Sequence, residues 1–205
     1  MADFLYKRFE RYAKLKRLPS ADLEDIVIFS RTRNRLIVNE KDLKAALEVQ
    51  HPGLSVGYVR LESLTLWQVV HIMRNAQLAV GMHGSILILC MFMAEGSKIV
   101  ELYPHAVPSN NYVPYKTMAN LPGMNLRYAA WENRHLNNTI GYPDRMRLMG
   151  GVRELSPARQ QEVIHATSVP LHFCCEDPFW LYKIFQDTIV TIPEVRFSCK
   201  GFSFF

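Results

Sequence analysis

The residues best suited to chemistry in this 205-residue chain are His83-Gly84-Ser85. They follow Leu78-Ala-Val-Gly-Met82, an apolar run that reads as the end of a buried strand, and precede Ile86 to Met93, which reads as a helix. A glycine between strand and helix lets the backbone approach a ligand closely, and the unpaired N–H groups of a helix start attract anions. With a histidine and a hydroxyl added, the turn suits a diphosphate. A tight turn that happens to carry a histidine would look the same, because short motifs recur by chance.

Arg31, Arg33 and Arg35 form a second set. In an extended segment the three share one side, with Thr32 and Asn34 on the other. A guanidinium pairs with two phosphate oxygens at once, so this stretch could clamp a diphosphate; a solvated basic loop is the alternative. His83 could donate to a phosphate oxygen or act as an acid for a departing nucleotide, or it is satisfied by local backbone. Glu101 is a candidate for ribose hydroxyls, as acidic groups are in other nucleotide folds, or a partner of Lys98 or Lys116. Glu62, Tyr112, Tyr115 and Lys116 are weaker candidates for the same cleft. No carboxylates mark themselves as a catalytic pair, no Asp-x-Asp occurs, and no metal ligand set is expected. The base for any transfer reaction is not assigned.

These residues need a scaffold, and the apolar pattern supplies one. Asp25 to Ser30, Ser55 to Leu61, Leu78 to Met82 and Lys98 to Tyr103 read as strands, with a further one at Leu126 to Ala130. The continuous apolar run Ile26-Val-Ile-Phe29 is what a strand buried on both faces requires. Between them lie helical segments: Ala2 to Lys16, with Phe4, Leu5, Phe9, Tyr12 and Leu15 on one face; Glu40 to Gln50, capped by Asn39; a helix to Asn75, capped by Thr65 and facing inward with Leu66, Val69, Val70 and Met73; Gly84 to Glu95; and Tyr115 to Leu121. This alternation predicts an α/β fold, a Rossmann-like doubly wound and mostly parallel sheet. Ligands on such sheets bind beyond the carboxyl ends of the strands, which is where the polar candidates fall. After Trp131 the pattern weakens. Asn133 to Gly151 reads as a loop, and Ser156 and Asp177 each can cap a later helix.

Composition narrows the classes. The length favours one domain, and a net charge of +5 is mild. No aromatic-and-basic alternation or helix-turn-helix pattern points to nucleic acid. Ser85 to Ala94 is too short to span a bilayer, and the N-terminus lacks the features of a signal peptide. Cys90, Cys174, Cys175 and Cys199 fit no metal spacing; Cys90 reads as a buried thiol. No Gly-x-Gly-x-x-Gly follows a strand, which disfavours a dinucleotide dehydrogenase. Asn137-Asn138-Thr139 is an acceptor pattern for N-glycosylation.

Several stretches resemble glycosyltransferase family 61: Ser30-Arg-Thr-Arg-Asn-Arg-Leu-Ile37, Met82-His-Gly84, Val100-Glu-Leu-Tyr-Pro104, Tyr112-Val-Pro-Tyr-Lys-Thr117, Leu121-Pro-Gly-Met124 and His172-Phe-Cys-Cys175. The similarity runs from about Phe4 to Pro193. It implies the C-terminal, donor-binding half of a GT-B glycosyltransferase over residues 1–193, with 194–205 a divergent and exposed-looking apolar tail. It implies inverting transfer of N-acetylglucosamine from UDP-N-acetylglucosamine to O-mannose on a protein such as dystroglycan, in the lumen or at the membrane of the endoplasmic reticulum. By resemblance Arg31, Arg35, His83, Gly84, Ser85 and Glu101 are donor-site residues. Members of the family carry a membrane anchor, an N-terminal acceptor-side domain and a fibronectin type III domain that are not in this sequence. The chain therefore reads as part of a larger enzyme. A non-catalytic nucleotide-binding or interaction module is the competing expectation.

Overall fold

The computed structural model describes residues 2–110, 113–141, 151–166 and 177–199. Five parallel strands form one sheet: β1 (Ile26–Phe29), β2 (Val56–Val59), β3 (Leu78–Met82), β4 (Lys98–Tyr103) and β5 (Arg127–Glu132). Their order across the sheet is β2-β1-β3-β4-β5. The expected parallel α/β sheet is thus present, with each of the four main strands where the apolar runs placed it.

Side-chain alternation builds a core on each face. Val27, Phe29, Ala79 and Ile99 point to one face and pack against α3 (Leu66–Asn75), the Ser85–Phe92 turn of helix and α4 (Pro114–Ala119). Ile26, Ile28, Val80 and Val100 point to the other, against Leu43 and Leu47 of α2 (Glu40–Gln50) and Val195 of α7 (Ile192–Cys199). Burial on both faces is why β1 and β3 are uniformly apolar rather than alternating. A smaller antiparallel pair, β6 (Thr139–Ile140) and β7 (Asp187–Thr188), stands apart, with α5 (Pro157–His165) and α6 (Pro178–Ile184) leading into β7.

Some local expectations give way to packing. Helix α1 (Ala2–Lys16) forms as expected, but Phe4, Tyr12 and Leu15 are exposed. Its inward stripe is Tyr6, Phe9 and Ala13, because Tyr6 stacks on Trp67 and shares a 3.0 Å hydrogen bond with His71. In α3 the Thr65 capping box is present, yet Leu66 is exposed and Trp67 and Ile72 turn inward beside Val69, Val70 and Met73.

The expected α-helix after the Gly84 turn is a 3-10 helix, Ser85–Phe92. Its burial has the period of three that this geometry imposes: Leu87, Cys90 and Met93 are enclosed while Ser85 and Ile88 are exposed. An all-apolar stretch gave no 3.6-residue pattern to oppose this.

Asn39 does not cap α2. Its side chain bridges to Val190 instead, donating to the carbonyl at 3.0 Å and accepting the N–H at 2.9 Å. Ser156 starts α5 without a side-chain cap, whereas Asp177 caps α6 by accepting the Trp180 N–H at 2.8 Å. Residues 192–199, expected in part as an exposed tail, form α7. Val195 is fully buried there, and Glu194 accepts from the Trp131 indole at 2.8 Å. Residues 200–205, Cys174 and Cys175 lie outside the described residues.

Candidate functional site

Connecting β1 outward to β2 and then back to β3 on its other side creates a switch point between β1 and β3. In open α/β sheets the crevice at such a point, beyond the carboxyl ends of the strands, is where ligands bind. Arg31 follows β1 and Gly84 follows β3, so the topology alone brings the two motifs together.

The arginine stretch is not extended. Residues 32–35 are a series of bends, and Arg35 adopts φ +56°. The three arginines therefore do not share one side. Arg33 is exposed, whereas Arg31 and Arg35 are half-buried and converge. A β-carbon built on Gly84 would lie 2.5 Å from Nη1 of Arg35 and 3.7 Å from Nη1 of Arg31. Arg31 is braced within its own loop: Nε donates to the Asn34 carbonyl at 2.9 Å and Nη2 to Asn34 Oδ1 at 3.3 Å. Arg35 Nη1 donates to the His83 carbonyl at 3.3 Å, while its buried Nε has no hydrogen-bond partner among the described residues.

Among the described residues neither guanidinium has a carboxylate within ion-pair distance. Burial, and then the neighbouring charge of Arg31, pull Arg35 down to about 10, so it remains a cation at neutral pH. Burial also lowers Arg31. Two adjacent cations in a half-buried site oppose one another, and the charges of Glu62 and Asp187 offset only part of the cost at Arg31.

The cleft they border has a volume of about 450 Å³ and runs from Ser30–Arg35 to Leu61, Glu62, Ser85, Ile88 and Leu89. Ser85 is exposed at its edge. Glu62 lines the cleft and accepts from the Thr32 hydroxyl at 2.8 Å. Its own backbone N–H, Thr32 and the charges of Arg31 and Arg33 hold it below the usual carboxylate range.

His83 anchors the turn. Its N–H donates to the Leu102 carbonyl of β4 at 2.8 Å, and its carbonyl receives Arg35. The ring is buried in an aromatic box, stacked on Tyr103 at 5.0 Å and edge-on to Tyr115 at 5.7 Å and Trp180 at 6.4 Å. Nδ1 lies 2.5 Å from Glu101 Oε1. The group of His83 that meets the arginine loop is its carbonyl.

Glu101 is fully buried, and Tyr128 donates to its second oxygen at 2.5 Å. A direct ribose contact would need an accessible oxygen, and both are engaged inside the protein. Among the described residues its ion-pair partner is His83, not Lys98 or Lys116. Burial and then the Glu101 charge raise Tyr103 and Tyr128, which keeps both phenols protonated. Tyr115 is buried against His83, whereas Lys116 is exposed and does not line the cleft. Tyr112 and His172 lie outside the described residues.

Three residues of the site gave no signal in the sequence. Trp180 walls the His83 ring, the Phe185 ring lies 5.5 Å from Arg35 Cζ, and Asp187 accepts the Leu36 N–H at 2.9 Å. The capped, aromatic α6 was legible as a helix, but nothing in its composition named its target.

Two half-buried guanidinium groups, without a carboxylate at ion-pair distance among the described residues, thus gather over a glycine turn at the switch point of a parallel α/β sheet. In comparison with known proteins, residues 1–100 match the model of glycosyltransferase 61. It is similar to protein O-linked-mannose beta-1,4-N-acetylglucosaminyltransferase 2 of Mus musculus, with 43% identity over 177 residues, 86% of this chain and 30% of the relative. The Homo sapiens protein of that name is 44% identical over 172 residues, 84% of this chain and 30% of its own length. For Xenopus laevis the figures are 43% over 170 residues, 83% and 29%. The chain thus spans about 30% of the length of these curated relatives. Among the described residues, no helix is long and apolar enough to cross a membrane.

Proposed function

We propose that this chain supplies the donor-binding half, residues 1–193, of a GT-B N-acetylglucosaminyltransferase. It binds the diphosphate of UDP-N-acetylglucosamine. The transfer it serves is inverting, to O-mannose on a protein such as dystroglycan, in the endoplasmic reticulum. The names of the relatives support the sugar and the O-mannose acceptor. The observation that carries the donor reading is the pair Arg31 and Arg35, two half-buried cations without a carboxylate partner among the described residues, crowded over Gly84.

In this reading the arginines do the chemistry that the chain can contribute. Negative charge grows on the diphosphate as the sugar–oxygen bond breaks, and donors already in place lower the barrier most where that charge develops. Gly84 leaves room for the Arg35 guanidinium over the turn, and Ser85 offers a hydroxyl at the edge. Glu101 acts behind the site through His83 rather than on ribose.

The test is calorimetric titration of UDP into wild type and Arg35→Ala. The arginine is expected to be worth about 1.5–3 kcal/mol of donor binding, the range for a hydrogen bond to a charged group. Arg35→Lys should recover only part, since an ammonium cannot pair bidentately. Equal affinities in wild type and Arg35→Ala would overturn the reading.

A second reading, a nucleotide-binding module without catalysis, is favoured by one observation. The carboxylate that lines the cleft is Glu62, and its environment makes it a weak base. Turnover of UDP-N-acetylglucosamine with an O-mannosyl peptide separates the two.

A further inference from the structure

The arginine loop is held from outside as well as by its own Arg31–Asn34 contacts. Arg35 sits at φ +56°, which a residue with a β-carbon occupies only against a steric cost. The restraint comes from 151 residues further along the chain. Asp187, fully buried in β7, accepts the Leu36 N–H at 2.9 Å, and the Arg35 amide also hydrogen-bonds to its carboxylate. Successive amides around a left-handed residue form a concave nest for an anion. Here the protein's own side chain fills that nest.

The neighbours of Asp187 extend the grip. Thr188 N–H donates to the Leu36 carbonyl at 2.9 Å, and Val38 N–H donates to the Thr188 carbonyl at 2.9 Å. Gln186 donates to the His105 carbonyl, beyond β4, at 2.9 Å. Phe185 presents its ring to the Arg35 guanidinium. Three consecutive residues therefore touch the guanidinium, the exit of β4 and the backbone of the arginine loop.

We infer that Asp187 is a positioning residue for the diphosphate site: it pins the Arg35–Leu36 backbone in the left-handed turn that carries the Arg35 guanidinium to Gly84, with Phe185 supporting the guanidinium face. The inference rests on the donor reading for its ligand but not for its geometry. Asp187 touches no substrate in this scheme, and the region matched by the family model ends at residue 100, well before it.

The experiment uses the full chain and two readouts. In ligand-free protein, Asp187→Ala should speed hydrogen exchange at the Leu36 amide, while Asp187→Asn, which keeps an acceptor oxygen, should largely preserve its protection. In UDP titrations, Asp187→Ala should weaken binding about tenfold in the wild-type background and by almost nothing when Arg35→Ala is already present, the non-additivity of residues that act through one another. Unchanged Leu36 exchange in Asp187→Ala, or an equal loss of affinity with and without Arg35, would overturn the positioning role. A wild-type chain that binds no UDP would overturn the donor reading alone, since the exchange measurement still decides the role of Asp187. Should Asp187→Ala fail to fold, Asp187→Ser carries the same comparison, its shorter side chain withdrawing the acceptor.

Discussion

Arg35 and Gly84 occupy one another's space: a β-carbon on Gly84 would stand 2.5 Å from Nη1 of Arg35. The glycine has φ +154° and ψ 168°, a region essentially closed to other residues. Gly84→Ala therefore meets two penalties at once. The backbone strain is worth about 1–3 kcal/mol, and the guanidinium must leave its place over the turn. The variant is expected to melt earlier than wild type and to bind UDP about tenfold or more weakly, consistent with the loss of one charge-assisted contact. Thermal denaturation and titration measure the two effects separately. An alanine variant with wild-type UDP affinity would mean that the approach of Arg35 to the turn has no part in binding.

The network behind the turn makes a second prediction. Glu101 is enclosed between His83 Nδ1 and the Tyr128 hydroxyl, and Tyr128 reaches Tyr103 at 3.2 Å. Glu101→Gln keeps the volume but removes the buried charge and one of the two acceptor oxygens of this network, at a cost of about 1–3 kcal/mol. Tyr128→Phe should cost about 1 kcal/mol, as one hydrogen bond. If Tyr128 acts through Glu101, the double variant will be less destabilised than the sum of the two. Urea denaturation decides this, and strict additivity would break the proposed chain of contacts.

The sheet was legible because burial on both faces leaves a signature in composition: Ile26-Val-Ile-Phe29 has no polar residue to alternate. The convergence of Arg31 with His83-Gly84 was legible too, since both follow buried strands and the fold fixes where such strands end. Which group of His83 meets the loop was not. That depends on Glu101, Tyr103, Tyr115 and Trp180 closing around the ring, contacts that span up to 97 residues of sequence. Arg33 was misplaced for a related reason. Sequence alternation assumes an extended segment, and a single left-handed residue at Arg35, held from Asp187, turns that segment into bends.

The same aspartate gives the domain a pH dependence. Burial raises Asp187 from the ordinary 3.8 to about 6, opposed by the Leu36 and Arg35 amides and by Arg31. The other charged groups on the cleft it borders are Glu40, Lys41 and Asp42 at the start of α2. Between those two values the folded chain holds a proton on Asp187 that the unfolded chain has released. The contribution is therefore fully present below pH about 4 and is lost as pH rises through about 6. Two pKa units correspond to roughly 3 kcal/mol, so at neutral pH the ionised carboxylate costs stability of that order. Asp187→Asn removes the titration and keeps an acceptor for the Leu36 N–H. Its stability relative to wild type should then be highest at neutral pH and fall by up to about 3 kcal/mol as pH is lowered from 7 to 4. Paired urea titrations of the two proteins across that range measure the difference directly. A difference that stays constant with pH would show that Asp187 does not change its protonation there.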